Sequence, residues 1–465
     1  MASEMPLPAD LLHAVADPIG GKITLVMGTG CSFEPPTSVP LASTCSQECH
    51  EQLVLNGVLV TGDCLDPGNL SLLADTVYKK CDNQEPLVRL LKQMYSLDKV
   101  TPNDGHYFAV ALMRERVISS ILTLNYDLSL TTAISYLGIG DTIAIINGPE
   151  DIQNQGIYNV YYLHRNANSD QKTWILRTEQ LEETWKNGWE GVVADRALVS
   201  PVIIFIGLGS PADVIVETTK RIKGILQNGV LPYQVDPSQF GSSPFTESLA
   251  LDEAHYIRKS WCDFMKEISD RLVREQIIRL KQEATTFSER EHLTPEDIDV
   301  FLGRLRDFGL VKLGLLRATW LLHDKKYLPD DPGTREFIAD LLLAVGFITR
   351  ETRTEAVLCE DGVVEFRRGD QTIAAYVLIS GRGTRRWTTI EGELSRRQRT
   401  FQTRPTTLSG ALIAHTRDGF IPVTPPADIT QEEISESILD GGSTLQIFHI
   451  DSLRQDPTKC KQVVP

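Results

Sequence analysis

Asn125, Asp127 and His164 stand at or just beyond the ends of two apolar runs, Leu122-Thr123-Leu124 and Tyr161-Tyr162-Leu163. A carboxamide offers both a donor and an acceptor, and an imidazole takes up a proton near neutral pH. Two more apolar runs end in small residues. Ile23-Thr24-Leu25-Val26-Met27 breaks into Gly28-Thr29-Gly30-Cys31-Ser32, and Ile204-Phe205-Ile206 into Gly207-Leu208-Gly209-Ser210. Small residues let backbone N–H groups approach a phosphate, helped by a following helix N-terminus. Strands of an open parallel sheet present ligand-binding groups at their carboxyl ends, so four such ends converge on one crevice.

Those ends need a sheet to hold them. Residues 1–240 alternate strand-like and helix-like segments, which predicts an α/β fold, a Rossmann-like doubly wound parallel sheet. Strands are expected at 23–27, 118–124, 142–146, 157–163, 174–176 and 202–206. Helices are expected around 41–56, 69–80, 86–95, 107–117, from 128, and after Pro211 to Ile225. Residues 241–328 read as a helical linker or regulatory region, with one long charged helix from about Pro244 to Thr286 and another opened by Thr294-Pro295-Glu296-Asp297. Residues 329–465 read as a small C-terminal α/β or α+β domain for regulation or partner docking. It has a helix at 335–345 ending at Gly346 and strands at 354–359, 363–366, 373–379 and 444–450.

Composition narrows the classes. A chain of 465 residues exceeds one ordinary core, and 23% charged with 42% hydrophobic residues is the balance of a soluble globular protein. No apolar stretch is long enough to span a bilayer and the N-terminus has no basic or apolar leader, so a cytoplasmic protein without a membrane association is expected. A net charge of −16 argues against direct nucleic-acid binding. The local exception, seven arginines between Arg382 and Arg404, reads as a solvated face or as a site for a phosphate-bearing ligand or acidic partner. With no Cys-x-x-Cys pair, Cys45, Cys49 and His50 read as helix packing, and no metal is expected. A dehydrogenase fingerprint is excluded, because Phe33 replaces the third glycine and the next strand ends without an acid for the ribose.

The four strand ends, in their order and spacing, resemble the sirtuin family over about residues 20–230. Gly28-Thr29-Gly30-Cys31-Ser32 followed by Val39-Pro40 is similar to the family's GAGxS…GIP pattern. Thr123-Leu124-Asn125-Tyr126-Asp127 resembles its T-x-N-x-D motif, in the form common to zinc-free sirtuin-like NAD⁺ hydrolases of bacterial antiphage defence. Leu163-His164 resembles L-H-G, and Gly207-Leu208-Gly209-Ser210 the late G-x-S strand end. The resemblance implies NAD⁺ as substrate and cleavage of the nicotinamide–ribose bond. It places the pyrophosphate on Gly28, Thr29, Gly30, Cys31 and Ser32, with Pro40 and Thr123 beside it. Gly207, Gly209 and Ser210 would meet the adenosine half. Asn125 would fix a water or a ribose hydroxyl, His164 would act as general base, and Asp127 would orient them or cap the next helix.

Departures from the family shape the expectation further. The four-cysteine zinc module of protein deacylases is missing, the family's Arg after Ile-Pro-x-Phe is missing, with Leu41-Ala42 following Pro40 instead, and Arg165 replaces the glycine after His164. Deacylation is therefore disfavoured, leaving NAD⁺ hydrolysis or NAD⁺/ADP-ribose binding without turnover as a regulatory subunit. The expected protein is an oligomeric NAD⁺ nucleosidase that depletes cellular NAD⁺ in abortive infection. A partner would restrain or trigger it: a HerA-like ATPase, an Argonaute or a nucleotide-processing protein, as among related effectors. Beyond residue 329, the order helix, Gly-Phe, strand, acid, strand is similar to a restriction-nuclease-like fold. Val364-Glu365-Phe366-Arg367 lacks the lysine of a working Glu-x-Lys, so no nuclease activity is expected.

Overall fold

The computed structural model describes residues 6–209, 213–288, 293–321, 327–380, 408–414 and 446–465. Ser210 and the arginines from Arg382 to Arg404 lie outside the described residues. The chain forms two compact units, Met1–Arg271 and Leu272–Pro465. No helix among the described residues is long and apolar enough to cross a membrane.

The first unit is built on a seven-stranded parallel sheet: β1 Ile23–Met27, β2 Ile118–Thr123, β3 Ile143–Ile146, β4 Tyr158–Tyr162, β5 Val202–Ile206, β6 Leu231–Val235 and β7 Tyr256–Ile257. Their spatial order is β3-β4-β2-β1-β5-β6-β7, with helices between successive strands, so the expected Rossmann-like doubly wound fold is the observed one. All five residues of β1 and of β5 are buried, as strands covered on both faces must be. The one polar side chain in β1, Thr24, is satisfied by donating to the Ala197 carbonyl at 2.9 Å. Met27 pairs with Thr123 on one side and with Ile206 on the other. Chain direction across the sheet reverses at β1, making the β1–β5 border the topological switch point, where open α/β sheets bind ligands.

Helix starts follow local chemistry. Asn69 accepts from the Ser71 and Leu72 amides at 3.1 Å and opens the helix Leu70–Cys81. Asn103 accepts from the His106 amide and opens Asp104–Arg114. Cys45 and Cys49 are buried on the helix Ala42–Leu55 among Leu53, Leu73, Val77 and Leu91.

Several expectations are corrected. Trp174-Ile175-Leu176 is not a strand: it is an extended segment folded against Tyr126, with no neighbouring strand to pair with. β6 has no counterpart among the expected strands, and Pro232 lies inside Leu231-Pro232-Tyr233-Gln234-Val235. It nevertheless pairs along its length with β5. The long helix expected from Pro244 is interrupted. Pro244–Leu249 ends at Ala250 in left-handed geometry, β7 intervenes, and the helix resumes as Trp261–Ser288.

In the second unit, β8 Glu355–Leu358, β9 Val363–Arg368, β10 Gln371–Ser380, β11 Gly410–Ala414 and β12 Gln446–His449 form a five-stranded sheet in the order β12-β11-β10-β9-β8. The β8–β9–β10 pairs are antiparallel and the β10–β11–β12 pairs parallel. β11 was not expected. The helix expected to stop at Gly346 spans Pro332–Thr352, with Gly346 buried inside it and the left-handed C-cap falling at Arg353. Glu365, in the acid position of the nuclease-like pattern, is held by Arg367 and Thr372 on its own hairpin.

Candidate active site at the switch point

The two glycine-bearing turns lock into each other. A Cβ on Gly28 would meet the Gly207 carbonyl oxygen at 2.4 Å, and one on Gly30 would meet the Gly207 Cα at 2.7 Å. Gly207 itself has φ +70°, where a side chain is strained, and its own Cβ would strike the Cys31 amide nitrogen at 2.7 Å. Only glycine fits at these positions. The Gly28 and Gly30 amides donate to the carbonyls of Ile206 and Gly207, and those of Cys31 and Ser32 to Gly28 and Thr29. The Thr29 amide alone among these five has no partner among the described residues, and Thr29 is only partly buried. The turn's free donor is therefore at Thr29.

Cys31 is fully buried, its thiol directed at the Ile206 carbonyl. Burial pushes that thiol well above the ordinary range, so it packs and is no nucleophile. Ser32 is the pivot of the polar site. Its Oγ–H donates to Asp127 Oδ2 at 2.8 Å, and it accepts from Asn125 Nδ2 at 3.1 Å. Thr123 Oγ1 accepts from the Asn125 amide, and Asp127 Oδ1 accepts from the Ser129 amide at 3.0 Å, at the first residue of the helix Ser129–Leu137. Asp127 thus bridges Ser32 and that helix start. Asn125 is 5% exposed, and its Oδ1 finds no partner among the described residues, a costly state for a buried acceptor.

His164 follows β4, the strand next to β2. Thr123 pairs with Tyr162, so Asn125 and His164 each stand two residues beyond a paired position on adjacent strands. Burial lowers His164 to about 4, against the opposing pull of the Leu124 backbone, so the imidazole is neutral at pH 7. Its carbonyl accepts from the Ile175 amide, and Tyr126 donates to the Ile175 carbonyl at 2.9 Å while stacking on Trp174 at 4.4 Å. Arg165, in left-handed geometry, donates to the Asn147 carbonyl at 3.0 Å and pairs with Glu190 at 3.4 Å.

Of the other residues expected here, Thr123 is buried in the network. Pro40 follows buried Val39, whose amide donates to Ser32. Gly209 is exposed past β5 with open space around its Cα. Sequence reasoning missed His106, fully buried, lowered to about 4 by burial, and within electrostatic reach of Asp127. It also missed the supporting pair Tyr126 and Trp174. The Asn103 cap was visible in the sequence. That its Nδ2 also donates to the Cys31 carbonyl was not.

No protein-family model matches the sequence, and no curated protein matches it. Among solved structures, a Sir2 homologue variant in complex with ADP-ribose matches with a TM-score of 0.35 and 15% identity, over 58% of this chain and 97% of that one. A Sir2 homologue in complex with NAD matches with a TM-score of 0.32 and 15% identity, over 59% of this chain and 97% of that one. A Sir2 enzyme from work on mechanism and regulation matches with a TM-score of 0.32 and 13% identity, over 57% of this chain and 98% of that one.

Proposed function

We propose that the first unit is an NAD⁺ glycohydrolase, cleaving the bond between nicotinamide and ribose. The observation that carries this reading is the Ser32–Asn125–Asp127 network at the carboxyl ends of adjacent strands. It leaves the buried Asn125 Oδ1 open, next in register to a neutral His164. Asn125 Oδ1 holds a water or a ribose hydroxyl. As the C1′–N bond breaks, the pair of electrons leaves with nicotinamide, the oxygen of water bonds to C1′, and His164 takes the proton released. ADP-ribose and nicotinamide are the products. The pyrophosphate is served by the turn at residues 28–32, through Thr29 rather than through all five amides. The likeness of the four motifs to sirtuin-like effectors supports NAD⁺ depletion in antiphage defence. In this reading Leu272–Pro465 receives the partner or signal that releases the activity.

Nicotinamide release from NAD⁺, measured with the full chain alone and with its genomic neighbours, tests the reading. Asn125→Ala and His164→Ala should each lower release by about 10²–10³-fold in folded protein, the range for losing one positioned polar or acid–base group. NAD⁺ binding without release under every condition would establish a sensor instead.

A further inference from the structure

The turn that carries Ser32 is held from behind by a cluster that none of the four motifs contains. Trp261, 3% exposed at the start of the helix Trp261–Ser288, donates its Nε1–H to Asn103 Oδ1 at 3.0 Å. Asn103, completely buried, donates its own Nδ2–H to the carbonyls of Cys31 at 2.9 Å and Glu34 at 3.2 Å. The side chain of Glu34 closes the loop. It accepts from the Cys262 amide at 3.1 Å and from Ser260 Oγ at 3.4 Å, placing a carboxylate on the first turn of the helix. The indole leaves no slack, since a Cβ on Gly105 would lie 2.1 Å from Trp261 Nε1. Both ends of the Cys31–Glu34 segment are thus tied to one helix start, and Ser32 lies between them.

We infer that Glu34 and Trp261 are positioning residues: they latch the start of the helix Trp261–Ser288 to the glycine turn and thereby set the position of Ser32 against Asn125 and Asp127. The same helix runs on to Ser288. With the latch closed, Ser32 presents its Oγ to both partners. With it open, Glu34 loses its two bonds to the helix start, Asn103 loses the indole that holds it against the Cys31 and Glu34 carbonyls, and Asn125 loses its fixed acceptor.

The inference rests on the proposed NAD⁺ chemistry only for its kinetic arm. Hydrogen exchange across residues 28–39 is measured on the full chain for wild type, Glu34→Ala, Glu34→Gln and Trp261→Phe. Phenylalanine keeps ring packing and removes one donor, and glutamine keeps an acceptor for the Cys262 amide. Glu34→Ala and Trp261→Phe should speed exchange at Cys31 and Ser32 by about tenfold or more, the equivalent of losing one buried or charge-assisted hydrogen bond, and Glu34→Gln should restore protection. Nicotinamide release should fall by about tenfold in kcat with little change in KM, again recovered in Glu34→Gln. Unchanged protection in both variants overturns the latch, as does altered protection with unaltered kcat. Altered protection in the variants, beside a wild type that never releases nicotinamide, keeps the latch and removes the proposed reaction.

Discussion

Gly207→Ala tests the interlocked turns directly. The φ of +70° at this position costs an alanine about 1–2 kcal/mol. The new methyl would also lie 2.7 Å from the Cys31 nitrogen, 2.9 Å from Cys31 Sγ and 3.0 Å from the Gly28 oxygen. Two of these three neighbours are backbone atoms tied into the turn, so relief requires moving β1 and β5 apart, at a further cost of about 1–3 kcal/mol. The sum is about 2–5 kcal/mol. Gly209→Ala is the matched control, two residues on, exposed, and with nothing among the described residues within 4 Å of an added Cβ. Its effect should stay within about 0.5 kcal/mol. Guanidinium unfolding followed by tryptophan fluorescence reads the first unit well, because Trp174, Trp185, Trp189 and Trp261 all belong to it. Isothermal titration with ADP-ribose reads the site. A Gly207→Ala protein as stable as wild type, or one no less stable than Gly209→Ala, would refute the claim that the switch point is closed by glycine-on-glycine contact.

Acid should weaken the first unit. His106 and His164 are lowered from 6.5 to about 4, chiefly by burial, so between these values the unfolded chain binds more protons than the folded one. Stability is therefore complete above about pH 6.5 and is lost as pH falls toward 4. The two together cost about 2–3 kcal/mol at pH 5, with His164 discounted for its partial exposure. A denaturation midpoint that is the same at pH 7 and pH 5 contradicts this. Tyr126→Phe keeps the stack on Trp174 but leaves the Ile175 carbonyl without its donor. It should cost about 1–2 kcal/mol and slow nicotinamide release by loosening the strap behind His164. Thermal unfolding and the release assay check both, and an unaltered melting temperature would show that the hydroxyl carries no weight.

The parts of this fold that were legible in the sequence are those where one local rule decides the outcome. Apolar runs breaking into small residues marked β1 and β5, and Pro102-Asn103-Asp104 carries the residue types of a helix start. What stayed hidden depends on partners distant in the chain. β6 exists despite Pro232 because β5 offers it an open edge, and β11 exists because β10 does. Leu231-Pro232-Tyr233 contains nothing that announces this. The same division runs through the site. Residues on strand ends could be named from the sequence, since small and polar residues after apolar runs are conspicuous. Their behaviour could not. That the Gly28 and Gly30 amides are consumed follows from Ile206 and Gly207 arriving alongside, while those of Cys31 and Ser32 turn back onto Gly28 and Thr29. The roles of Trp261 and Glu34 follow from a helix start meeting a loop far earlier in the chain.

The border between β1 and β5 also has a consequence for how the molecule comes into being. Gly28 and Gly207 stand near opposite ends of the unit's sequence, yet neither turn can take its final form without the other. During synthesis, a chain released only as far as β4 holds Asn125 and His164 but lacks the backbone against which the first turn closes. Loop closure over so long a separation is slow and comes late. A chain that stops before β5 therefore cannot close its first glycine turn, and the switch point takes shape only after Gly207 has been added.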